Sequence, residues 1–151
     1  QAREASFREN GDLVKGVLWV STLDFRTTLI CMGLDGQVFP IDSGPRPPVH
    51  WGCRSQISPI LKSWQELGFK AKDVPPQSRA SLDGQVPGSP TYAEWIAKQS
   101  AARQDEALGP TRGKLFRSGK VTIDKFTDDS LRRINLDDLA KLEGIDLKKF
   151  R

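Results

Sequence analysis

The sequence predicts a small α+β domain, rich in loops, with short strands, several short helices and an extended C-terminal arm. Three observations lead there. A length of 151 residues suits one domain with one modest core. An apolar share of 37% lies below the globular average and makes that core thin. The 13 Gly and 10 Pro cut the chain into many short pieces. The expected division places a domain over residues 1–120 and the arm over residues 121–151.

Taken in order, Gln1 to Gly11 is polar and carries no hydrophobic signal segment. The chain opens on Gln1 and not on Met, so further sequence upstream is expected. Val14 to Leu23 is apolar and β-branched with no clean period, and reads as helix running into strand. Arg26 to Met32 is a second short candidate element. In Leu34-Asp35-Gly36-Gln37-Val38-Phe39-Pro40, the Asp-Gly pair predicts a tight β-turn, because both residues tolerate positive φ. Ser43-Gly44-Pro45-Arg46-Pro47-Pro48 has three prolines, which fix φ and remove donors, so an extended, rigid loop is expected.

Ser58 to Gly68 has a capping Ser58, Pro59 in the first turn, apolar residues at helical spacing and a closing Gly68, which together predict a short capped helix. Asp73 to Pro90 is rich in Pro, Ser and Gly. Within it, Leu82 to Pro87 echoes Leu34 to Pro40, as two similar turns or as a repeat. Thr91 and Glu94 form a capping box that opens a helix expected to reach Gln99. Helices are also expected over Ala101 to Leu108 and over Thr111 to Phe116, separated at Gly109-Pro110. Val121 to Phe126 reads as a strand or an extended arm. Leu136 to Leu142 is amphipathic with Asn135 as its cap, and Ile145 to Arg151 alternates apolar and basic residues with no core of its own in view.

Charge narrows the classes of partner. Lys and Arg balance Asp and Glu as far as Pro110, so the formal net charge of +4 arises after Thr111. Such a tail suits nucleic acid or an acidic protein surface, although Asp124, Asp128, Asp129, Asp137, Asp138 and Asp146 are interleaved with it as on an ordinary solvated face. No run of residues has the apolar length of a bilayer span, so no membrane partner is expected. Phosphate-binding glycine loops, metalloprotease helices and paired-carboxylate motifs are lacking as well, and no small-molecule substrate is expected. Trp19, Trp51, Trp64 and Trp95 sit in separate elements, Trp64 and Trp95 on helical apolar faces, which favours core or interface use over base stacking.

One constellation could carry chemistry. Cys31, His50 and Cys53 are the two cysteines and the single histidine of the chain, and the His50-x-x-Cys53 spacing lets both side chains reach one metal. A structural zinc site takes four N or S ligands, so Asp24, Asp35 or water would have to complete the shell. The rival reading is a buried thiol pair beside a hydrogen-bonded histidine. A thiol nucleophile activated by His50 and oriented by Asp24 is a third, without any local signature of thiol enzymes around either cysteine. Free thiols, no cofactor and no catalytic residue are expected, with Asp24, Arg26, Asp35 and Arg54 pairing with each other or with turn backbone.

Three runs, Trp19-Val20-Ser21-Thr22-Leu23-Asp24-x-Arg26-Thr27, Cys31-x-x-Leu34-Asp35-Gly36-Gln37-Val38-Phe39-Pro40 and Gly44-Pro45-x-Pro47-Pro48-x-His50-x-x-Cys53-Arg54-Ser55, together resemble the phage Mu F-like head morphogenesis family. Arg79 to Pro87, Tyr92-x-x-Trp95 and Gln104-Asp105-x-x-Leu108-Gly109-x-x-Arg112 look like the downstream part of one branch, so the resemblance covers about Asp12 to Phe126. Many members have a further cysteine three positions before the one matching Cys31, where this chain has Thr28, and that departure argues against bound metal. The resemblance implies a minor capsid protein of a tailed phage, structural and not enzymatic. It would act in head assembly beside the major capsid or portal protein, present in the host cytoplasm during assembly and then inside the virion. A DNA-binding virion protein carried or ejected with the genome is one alternative, and a thiol or metal enzyme is the other.

Overall fold

A computed structural model describes residues 2–73 and 78–150. It is α+β. A polar helix α1 (Ala2–Glu9) leads into strand β1 (Val14–Val20), the centre of a three-stranded antiparallel sheet. On one side lies β2 (Val38–Phe39), with Leu18 opposite Val38; on the other lies β3 (Gln56–Leu61), with Trp19 opposite Ile57. Val14 to Val20 is therefore strand throughout, and the expected helical start is corrected. Val17 and Trp19 are buried on one face, and a register shift between Val14 and Gly16 lets Val14 join the same cluster while Lys15 stays exposed.

Helix α2 (Leu29–Leu34) begins at Thr28, whose side chain accepts from the Cys31 amide. It has apolar residues on every side and lies between two cores, as an all-round apolar helix must. Cys31 and Leu34 join Phe7, Val14, Val17, Trp19 and Ile57 under the sheet, while Met32 joins a larger cluster beyond. The turn expected at Asp35-Gly36 forms: the Gln37 amide donates to the Leu34 carbonyl at 3.0 Å, with Asp35 at φ −60°, ψ 129° and Gly36 at φ 81°. Those angles define a turn that needs positive φ at its third residue. It joins a helix to a strand, whereas the echoing Leu82-Asp83 links the hairpin of β4 (Ser78–Ser81) and β5 (Gly84–Pro87).

The helix expected over Ser58 to Gly68 is corrected. Ser58, Pro59, Ile60 and Leu61 belong to β3, an edge strand, where the missing proline donor is tolerated. The cap signal belongs to Ser63: its Oγ accepts from the Glu66 amide, and Glu66 accepts from the Ser63 amide. Only a single turn follows, and Trp64 stays 41% exposed, stacked edge-on against Phe69. By contrast, α3 (Tyr92–Ala97) has its capping box at Thr91 and Glu94, and α4 (Ala101–Leu108) and α5 (Pro110–Arg117) fall where the sequence put them.

Beyond Lys120 the chain turns back into its own core. Val121, Ile123, Phe126, Leu139 and Leu147 are buried with Tyr92, Trp95, Ile96, Leu108 and Leu115. Ile123–Phe126 is a 3-10 helix, not a strand or extended arm, and it rests on α2 at Gly33, where a Cβ would lie 3.3 Å from the Asp124 Cα. Arg112 fastens the segment, donating to the Ile134 carbonyl at 2.8 Å and lying over the Phe126 ring. α6 (Leu136–Glu143) is capped by Asn135 as expected. The expectation that residues 121–151 form an arm ordered from outside is corrected: small apolar groups spaced along irregular backbone reach the core without a continuous stripe. Residues 74–77, inside the stretch read as Pro, Ser and Gly rich, together with Gln1 and Arg151, lie outside the described residues.

Candidate functional site

The loop after β2 lacks ladder partners, and Arg46 takes their place. Its guanidinium donates to the carbonyls of Pro40, Ile41, Ser43 and Pro45, and its Nε lies 3.5 Å from Glu4 on α1. Buried or half-buried carbonyls need donors, and one arginine gathers four. The loop so folded delivers a tight turn, Cys53 N to His50 O at 3.2 Å, which sets His50 and Cys53 over the first turn of α2. The role of Arg46 was not read from the sequence; a lone arginine between prolines gave a faint signal for it.

The three predicted candidates converge. Cys31 Sγ lies 3.1 Å from His50 Nε2 and 3.7 Å from Cys53 Sγ, and the three potential ligand atoms all lie within 4.8 Å of one another. Both thiols are free, Cys31 buried and Cys53 half-buried. Thr28 Oγ1 lies 3.0 Å from the same His50 Nε2. On the other face of the ring, Nδ1 is 2.9 Å from the Trp51 carbonyl oxygen. A carbonyl only accepts, so Nδ1 carries a proton, and the neutral tautomer with that proton presents its Nε2 lone pair to Cys31 and Thr28.

The thiols differ in their surroundings. Burial pushes the Cys31 thiol up, against weaker pulls from the Ser55 and Thr28 hydroxyls. Burial also raises Cys53, but hydrogen bonds with the backbone at Val49 and Ser55 and with Cys31 together outweigh it and leave that thiol below its ordinary value.

The two acids that could have completed a metal shell are engaged elsewhere. Asp24 holds Arg54 through two contacts, Oδ2 to Nη1 at 2.6 Å and Oδ1 to Nη2 at 2.7 Å, and accepts from the Arg26 amide and the Thr27 hydroxyl. The Arg54 guanidinium holds the Asp24 carboxyl below its ordinary range, and Asp24 in return raises Arg54. Asp35 has no exposed side-chain surface and accepts from the Ser21 amide, the Tyr92 amide and both terminal nitrogens of Arg79. Asp24, Asp35 and Arg54 therefore act on protein partners, as does Arg26 through its amide. Arg79, which closes the Asp35 network and also donates to the Ser21 and Pro90 carbonyls, was not singled out as a structural residue from sequence.

Of the four tryptophans, Trp19 and Trp95 are buried, with Trp19 Nε1 donating to Ser21 Oγ at 3.0 Å, whereas Trp51 is fully exposed at the tip of the loop. Trp64 is half out of the core, not on a helical apolar face.

No family model, curated protein or solved structure matches the chain. Among the described residues, no helix is long and apolar enough to cross a membrane.

Proposed function

We propose that this chain is a minor capsid protein of a tailed phage, with a structural role in head assembly at the portal or the inner capsid face, and that it is not an enzyme. One observation carries the reading. The residues that bear the resemblance to Mu F-like head morphogenesis proteins are the ones tied to each other: Asp24 to Arg54, Asp35 to Arg79 and to the Tyr92 amide, Trp19 to Ser21, and Cys31 to His50. Mutual bonding of this kind makes the motif a scaffold for its own loops, which suits a structural role.

The surface supports the same reading. Trp51, Val38, Leu61 and Phe69 are well exposed large apolar side chains, a composition suited to contact with another protein. The major capsid or portal protein is the partner we assign. Burial raises the Cys31 thiol while hydrogen bonds lower Cys53, so a thiol enzyme would have to use Cys53, and it stays the alternative reading. The proposed location is the virion interior, after a cytoplasmic stage of assembly. A map of assembled heads, with and without this chain, tests it: density for the chain against portal or shell is the expected result. Assembly of full, infectious heads lacking the protein overturns it, and salt-dependent DNA binding by the purified chain would move the reading to the DNA-binding alternative.

A further inference from the structure

We infer that Cys31, His50 and Cys53 hold one zinc-like divalent cation and that Thr28 Oγ1 occupies the fourth corner of its shell. The sequence argued against metal by counting sulfur and nitrogen donors. The fold supplies what a count cannot.

Three features of the geometry point this way. A tetrahedral zinc with Zn–S bonds near 2.3 Å separates two ligand sulfurs by about 3.8 Å, and the Cys31 and Cys53 sulfurs are 3.7 Å apart. His50 is oriented as a ligand: Nδ1 is held by the Trp51 carbonyl and Nε2 is turned toward Cys31, free to give its lone pair in the neutral ring, the arrangement in which an outer carbonyl fixes a metal-binding ring. Thr28 Oγ1 lies 3.0 Å from Nε2 and so brings an oxygen to the cluster beside the ring nitrogen.

Charge balances as well. Loss of both thiol protons to solvent gives two thiolates, which with a neutral imidazole and a neutral hydroxyl cancel the two charges of the cation. A neutral cluster suits a half-buried place. The soft sulfur pair with imidazole selects zinc over magnesium or calcium. Because a hydroxyl is a weaker donor than a thiolate, this site binds its ion less tightly than a four-ligand sulfur and nitrogen site and exchanges it more readily. The cation would tie α2 to the loop between β2 and β3, two parts otherwise joined here by hydrogen bonds.

The test uses the reduced, metal-free chain titrated with Co²⁺, with visible absorption and competition against a chromophoric chelator as readouts. We expect one Co²⁺ per chain with tetrahedral bands and thiolate charge transfer, displaced by Zn²⁺. Thr28→Cys should add charge-transfer intensity and tighten binding by at least about tenfold, as a third thiolate replaces the weak corner. Thr28→Asp keeps an N-cap acceptor and should tighten binding without the added intensity; it carries the test alone if circular dichroism shows Thr28→Cys unfolded. The inference is overturned if the chain takes up no more Co²⁺ than its Cys31→Ser/Cys53→Ser variant, if the spectrum is octahedral, or if neither Thr28 variant gains affinity.

Discussion

Asp35 and Arg79 stand 44 residues apart and meet in a two-point ion pair, Oδ2 to Nη1 at 3.1 Å and Oδ1 to Nη2 at 2.9 Å, with the carboxylate wholly enclosed. The same carboxylate accepts from the amides of Ser21 and Tyr92, so one side chain at the end of α2 ties together the sheet, the hairpin and the start of α3. A buried charge is tolerated when every lone pair has a donor, and here four do.

Asp35→Ala should therefore destabilise the fold by roughly 3–5 kcal/mol, because it leaves the Arg79 charge and two buried amides unpaired. Urea unfolding followed by tryptophan fluorescence measures it. A loss below about 1 kcal/mol would show that water replaces the carboxylate at no great cost.

The Asp24 and Arg54 pair gives a pH signature. Hydrogen bonding to Arg54 lowers the Asp24 carboxyl from its ordinary value of 3.8. A carboxyl whose folded value lies below its unfolded one contributes stability that is present in full above the unfolded value and fades as pH falls through the folded one. The stability difference between the native chain and Asp24→Asn should hold steady from neutral pH down to the ordinary carboxyl range, then shrink on further acidification. A difference that grows with acid contradicts the assignment.

The chain beyond Lys120 is part of the core. Phe126→Ala should cost about 3–5 kcal/mol, as for other large-to-small changes at fully enclosed aromatic sites. Deletion of residues 121–151 should abolish cooperative thermal unfolding and the near-ultraviolet signal of Trp95, because it strips the larger core of five buried side chains. A truncated domain that still melts cooperatively would place the 121–150 segment outside the folding unit.

Gly36 has no tolerance for a side chain. Its φ of 81° disfavours L-residues, and a Cβ would come within 2.6 Å of the Thr91 methyl. Gly36→Ala should destabilise by about 1–3 kcal/mol, with strain and overlap both contributing. The double variant Gly36→Ala/Thr91→Ser removes the methyl and should recover part of that loss; equal stability of the single and double variants would assign the whole effect to backbone strain.

The sequence alone determined what depends on neighbours along the chain. The capping box at Thr91 and Glu94, the cap at Asn135, the break at Gly109-Pro110 and the turn at Asp35-Gly36 are set by bonds that span only a few residues, and each formed where its residues predicted. Composition likewise sufficed for the α+β class. The tertiary structure alone decided three matters in which the partner lies far away. Ser58 to Leu61 has a helical pattern, yet the ladder to β1 wins because the strand buries Ile57 against Trp19, and local propensity is weaker than that packing. The apolar residues after Lys120 show no continuous stripe, and only the shape of the core formed by α3, α4 and α5 gives them a place. At the candidate site the sequence listed Cys31, His50 and Cys53, but whether their atoms meet, and that Thr28 meets them, depends on how Arg46 folds a loop that has no ladder of its own. Distances between side chains from separate elements are set by packing, and packing is not written in any one segment.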